Sequence, residues 1–167
     1  MRRLSVILGL FTVIAVPAAA LAAPAAIGDG SLVVKNGSAP VGTNVVVLQI
    51  TGSVIGDVGH GRLVIDAGPN AEQTAVPQVT GAEYRGVRPE TTAQVFKGSF
   101  KFRAVGGTYT VVVFGDHVNL VAVGTGTVKL AGFPDMPVGD GKYSLNGDDF
   151  MSLPGTQTEK RSIGSNG

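Results

Sequence analysis

From Ser31 onward the chain is a succession of short β-branched runs, each closed by glycine. "SLVVK" (31–35), "NVVVLQIT" (44–51) and "RLVID" (62–66) come first. "SFKFR" (99–103), "TYTVVVF" (108–114), "VNLVAV" (118–123) and "TVKL" (127–130) follow. This pattern constrains the fold more than any single motif. Val, Ile, Thr and aromatic side chains suit a pleated, half-buried surface, and several runs alternate with a period of two. Phe100 and Phe102 share one face while Lys101 and Arg103 share the other, and Val128 and Leu130 flank Lys129. Such alternation predicts strands with one face in a core and one in water. No window after the N-terminal segment shows a helical period with caps. The expected class is all-β: a single-domain β-sandwich or small barrel of about 8–10 strands.

Two blocks of this pattern read as copies of one another. Residues 31–68 and 99–132 each open on a short alternating strand closed by a cation, Lys35 and Arg103. Val41-Gly42-Thr43 answers Val105-Gly106-Gly107, Gly52 answers Gly115, and Val58-Gly59-His60-Gly61 answers Val123-Gly124-Thr125-Gly126. A four-strand unit cannot bury its apolar face alone, so two such units are expected to pack together. Between them, the polar stretch 69–98 carries Pro69, Pro77 and Pro89. It reads as a loop or an edge hairpin, pairing Gln78–Tyr84 with Thr92–Lys97, and as a surface for contact with a protein or cell-wall polymer. A C-terminal hairpin is expected over 141–153, with Lys142–Leu145 and Phe150–Leu153 as its strands. Residues 155–167 read as a disordered polar tail.

The motifs "FR-x-VGG-x-Y-x-V" (Phe102 to Val111), "VG-x-G-x-V-x-L" (Val123 to Leu130) and "YSLNG" (Tyr143 to Gly147) have a counterpart elsewhere. In them the chain resembles a group of small secreted bacterial proteins of no known activity. The resemblance covers about half of the chain after the leader. It implies an exported all-β domain and implies nothing about mechanism.

The first 26 residues obey different rules. "MRR" is a basic n-region, Leu4–Val16 an apolar h-region, and Pro17 with the following alanines supplies small-x-small cleavage options. A signal peptide over 1–22 is expected, cut after Ala22 or after Ala23. An uncleaved anchor is the alternative, since an apolar run of about 20 residues can span a bilayer. The expected location is secreted or associated with the cell envelope. The chain contains no cysteine, so lipobox attachment, disulfides and thiolate metal sites are excluded and burial alone must hold the fold. Without Arg2 and Arg3, 11 basic side chains stand against 12 acidic ones. The cations are scattered, so no nucleic-acid footprint is present. Nor does any segment read as an amphipathic membrane helix, and no membrane contact is expected once the leader is removed.

The chemistry-bearing residues are sparse. His60 and His117 are the two histidines. No Gly-x-Ser-x-Gly elbow accompanies them, and two imidazoles on separate loops fall short of a zinc site. His117, after Gly115-Asp116, is expected at a hairpin turn. Gly59-x-Gly61 and Gly124-x-Gly126 lead into strands and lack the third glycine of a dinucleotide fingerprint. Asp140, Asn146, Asp148 and Asp149 could offer oxygens to calcium, but their spacing fits no EF-hand loop and suits hairpin turns. No catalytic, cofactor or metal residue is therefore assigned. The expected function is that of a non-enzymatic exported structural or binding module of the cell envelope or extracellular space. A small secreted hydrolase, resting on His60 or His117 with Asp57 or Asp116, is the alternative.

Overall fold

The glycines that close the runs in sequence do not end the strands in space. The structure, a computed structural model, describes residues 30–68, 76–133 and 141–164. In it the runs 44–51 and 62–66 join, through everything between them, into one 21-residue strand, β2 (Val46–Asp66). β1 is Ser31–Gly37, β3 Gln78–Thr80 and β4 Tyr84–Val87. β5 (Gln94–Asp116) has 23 residues and β6 is Val118–Leu130. β7 (Lys142–Leu145), β8 (Met151–Ser152) and β9 (Arg161–Ile163) complete the set. All nine lie in one antiparallel sheet, in the order β3-β5-β2-β6-β1-β7-β8, with β4 beside β5 and β9 beside β6. No helix occurs among the described residues. The all-β class and the strand number are as the alternation predicts.

β2 is the centre of the sheet. Val46–Val58 faces Phe100–Val113 of β5, and Val46–Asp57 faces Asn119–Leu130 of β6. With both neighbours in place, the backbone N–H and C=O groups around Gly52 and Gly56 have partners and the chain stays extended. The glycines that read as corners are instead points of close approach, a recurrent reason for glycine inside a strand. Gly52 stands opposite Gly124, and Gly61 opposite Gly115. A Cβ on Gly52 would overlap the Val123 carbonyl oxygen and sit 2.8 Å from Gly124 Cα. One on Gly61 would overlap the Phe114 carbonyl oxygen and sit 2.8 Å from Gly115 Cα.

The expected hairpin turn at His117 is likewise replaced. Gly61 pairs with Gly115 and Asp57 with Asn119, so the end of β5 and all of β6 follow β2 in one register. His117, at φ 50°, is a one-residue kink in an extended path. Because β5 bends, Leu63–Ile65 of β2 pairs with both Gln94–Phe96 and Val111–Val113 of β5. The inward faces enclose one core, to which β2 gives Leu48, Ile50, Val54 and Leu63, and β5 gives Phe100, Phe102, Tyr109 and Val111. Phe100 and Phe102 are buried while Lys101 and Arg103 are exposed, as their alternation requires.

The polar stretch after β2 pairs differently from the hairpin anticipated. Gln78–Thr80 lies along Lys101–Arg103, and it is Tyr84–Val87 that takes Gln94–Lys97. The Arg85 guanidinium, donating to the Val79 carbonyl, ties β4 back to β3. β7 and β8 form a hairpin, with Lys142 opposite Ser152 and Tyr143 opposite Met151. Part of the stretch read as a disordered tail is ordered: Arg161–Ile163 pairs with Gly126–Val128, and Ile163 is buried. Asn146 fastens it. Its Oδ1 accepts the Gly164 N–H at 2.8 Å, and its Nδ2 donates to the Ser162 carbonyl at 3.2 Å.

Tyr109 gives the core a pH limit. Burial raises its phenol from the ordinary value of 10.0, and its O–H donates to the Val105 carbonyl at 3.3 Å. The folded state therefore holds this proton to higher pH than the unfolded chain does. Stability from this group is complete below about pH 10 and is lost as pH rises beyond it, because the unfolded state then binds fewer protons. Urea midpoints measured at neutral pH and above about pH 10 should show this decline. In Tyr109→Phe the decline should be shallower.

Candidate functional site

A cleft lies where β2 and β5 approach at Gly61 and Gly115. Residues 38–45 connect β1 to β2, and Ser38–Thr43 arches over that approach. The Thr43 N–H donates to the Pro40 carbonyl at 2.9 Å, Gly42 takes φ +88°, and Val41 at the tip is fully exposed. The loop is held at its base by Ser38, whose Oγ accepts the His117 N–H at 3.3 Å. Beneath it is a cleft of about 900 Å³, within the range of small-molecule sites, about 300–1,000 Å³. Ala39, Pro40, Val41, Phe114 and Phe133 give it an apolar wall, and His60, Arg62, Glu83, Lys97, Asp116 and His117 line it with polar and charged groups.

The sheet register sets the order of those charges. Lys97, Arg62 and Phe114 form one cross-strand row, with Arg62 in the middle. Its guanidinium sits 5.8 Å from the centre of the Phe114 ring, while the Lys97 ammonium sits 5.2 Å from that of Tyr84. Aromatic faces attract such cations and hold them in place. His60 stands directly opposite Asp116, and His117 Nδ1 is 3.7 Å from Asp116 Oδ2. Gly59 permits this arrangement: a Cβ there would come within 2.9 Å of His117 Cβ.

The structure thus brings His60 opposite Asp116 and near His117, a pair that lies on a separate stretch of the sequence. Asp57 accepts from Asn119 Nδ2 at 3.0 Å. A hydrolytic relay needs a hydroxyl donating to an imidazole that a carboxylate orients. Ser38 Oγ accepts the His117 backbone N–H at 3.3 Å, and the His117 and Asp116 side chains are 70% and 53% exposed. Among the described residues, no three His, Cys, Asp or Glu side chains group as a metal site. Of the carboxylates weighed for calcium, Asp140 lies outside the described residues. Asp148 and Asp149 are exposed, and the Asn146 carboxamide is engaged with Gly164 and Ser162.

The lining sets two cations, Arg62 and Lys97, and two carboxylates, Glu83 and Asp116, beside an apolar wall. The cleft itself was not readable from sequence. Its lining comes from six separate stretches of the described chain, and "NGSAPVGT" (36–43) reads only as a connection. The signal that pointed toward it was the histidine between two glycines.

Comparison with protein-family models, with curated proteins and with solved structures gives no match for this chain.

Proposed function

We propose that the protein is an exported, non-enzymatic binding module of the bacterial cell envelope or extracellular space, and that the cleft under the 38–43 loop is its ligand site. The leader-like N-terminus supports export. The observation that carries the binding reading is the cleft, where Arg62 and Lys97 stand in one row beside Phe114 and an apolar wall. The ligand class that fits is a small amphipathic anion, an aromatic or aliphatic carboxylate. Titration calorimetry against a panel of such carboxylates should find binders. Arg62→Gln should weaken binding by about tenfold, the scale of one charge-assisted hydrogen bond. A panel that binds nowhere, or equally well to Arg62→Gln and to a variant lacking residues 39–42, overturns the reading.

We also infer a duplication, with copies beginning at Ser31 and Ser99. Several pairings support it. Each copy's first strand flanks the other copy's long strand: Leu32–Val34 lies along Leu120–Ala122, and Phe100–Ala104 along Val54–Val58. Outside each first strand lies a short one, β7 against β1 and β3 against β5. Gly61–Val64 is flanked by Val95–Gly98 much as Gly126–Val128 is by Arg161–Ile163. The copies diverge at the cleft. The first spends residues 38–45 on a loop where the second passes through Val105-Gly106-Gly107 without leaving β5. Where the first has His60-Gly61-Arg62, the second has Thr125-Gly126-Thr127. A feature present in one copy and lost or never gained in the other is not required by the shared architecture, and this supports assigning the cleft a use.

A further inference from the structure

A second feature lies on the solvent face of the sheet, where a shallow groove of about 740 Å³ crosses β1, β6, β2 and β5. Two adjacent cross-strand rows mark this face, and the first of them lines the groove. In one, Val33, Val121, Ile55 and Arg103 stand side by side. In the next, Val123, Ser53 and Val105 do so. Ile55, Val121, Val123 and Val105 are 50, 44, 43 and 37% exposed. Outward positions of an antiparallel sheet are ordinarily polar, and apolar side chains clustered there mark an interaction surface. Lys35 borders the patch on β1, and Lys101 and Arg103 border it on β5. The one carboxylate in the lining, Asp57, is engaged by Asn119.

We propose that this face docks onto an anionic phospholipid surface. Charge complementarity carries the argument: Lys101, Arg103 and Lys35, whose ammonium lies 4.4 Å from the centre of the Phe150 ring, border an aliphatic patch against one carboxylate, Asp57, which stands opposite Lys101. Breadth selects a surface over a peptide. Lys35 and Lys101 lie on strands three spacings apart, about 14 Å, so one extended segment in the groove cannot meet both flanks while a plane of headgroups can. The sequence-based expectation of no membrane contact considered helices; this face is assembled from strands far apart in sequence. The proposal is independent of the cleft.

The chain has no cysteine, so single labels report cleanly. An environment-sensitive fluorophore would be placed at Val121→Cys and, as a control, at Val87→Cys on β4. Vesicles of phosphatidylcholine with phosphatidylglycerol should blue-shift the Val121 label and brominated lipid should quench it, with little change at Val87. Vesicles of phosphatidylcholine alone should do neither. Lys101→Glu with Arg103→Glu should lower vesicle affinity at least about twentyfold, at roughly fivefold per cation removed, with an unchanged far-UV spectrum. Equal responses at both labels, equal binding to neutral vesicles, or undiminished affinity of the charge variant would overturn the proposal. So would a Val121 label that answers polyglutamate and not vesicles.

Discussion

Replacing Gly61 or Gly126 by valine should leave little folded protein at room temperature. A Cβ on Gly61 would overlap the Phe114 carbonyl oxygen and lie 2.8 Å from Gly115 Cα. A Cβ on Gly126 would overlap the Gln49 carbonyl oxygen and lie 2.8 Å from Ile50 Cα. In both cases the obstacle is facing backbone, which cannot move without breaking a ladder. Neither glycine has a positive φ, so the penalty comes from close approach and not from conformational strain. A cost of about 4 kcal/mol or more is expected, large against a typical total of about 5–15 kcal/mol. Gly42→Ala separates the two effects. Gly42 takes φ +88° with nothing within 4 Å of an added Cβ, so this change should cost only about 1–2 kcal/mol. Thermal and urea melts of the three variants decide the matter. If Gly61→Val melts like Gly42→Ala, the close-approach account is wrong. If one valine variant is tolerated and the other ruinous, the equivalence of the two copies is lost.

Phe102→Ala should be nearly as damaging. Phe102 is 2% exposed, and its ring occupies the space above Gly56, where a Cβ would meet ring carbons at 2.8 Å. Phe100 lies beside it with ring centroids 6.4 Å apart. Truncation leaves a cavity walled by strands paired on both sides, which have little freedom to collapse. A loss of about 3–5 kcal/mol is expected, while Phe102→Leu should retain most of the stability. The urea midpoint should fall with little change in slope, as it does when packing is lost and the fold is kept. A near-wild-type midpoint for Phe102→Ala would show that Phe102 does not hold the two halves of β5 over β2.

How much of this was legible depended on the distance over which each residue is decided. Phe100, Lys101, Phe102 and Arg103 declared their faces through a period of two, and burial follows it. Gly52 and Gly61 declared only that a side chain is excluded. A glycine in a tight turn and a glycine beneath another strand's carbonyl look alike in sequence, because the excluding atoms belong to residues 53 and 71 positions away: Phe114 for Gly61 and Val123 for Gly52. His117 was misplaced for a related reason. A lone residue in the left-handed region can reverse a chain or merely kink it, and what settles the outcome is the strand waiting alongside, here β2. Ile163 is the lone buried side chain of β9, too weak a signal to rescue three residues from a polar tail.

The sequence by itself determined the class of the fold, the faces of most strands, the exclusion of thiol chemistry and the absence of an assignable catalytic motif. These depend on the identity and spacing of neighbours, and local physics is complete at that range. Only the tertiary structure decided that β2 runs unbroken through its glycines, that the 38–43 loop roofs a cleft holding both histidines, and that aliphatic side chains from three strands meet on a solvent face. Those outcomes rest on which backbone lies beside which, and hydrogen-bond partners supplied from far along the chain make that choice.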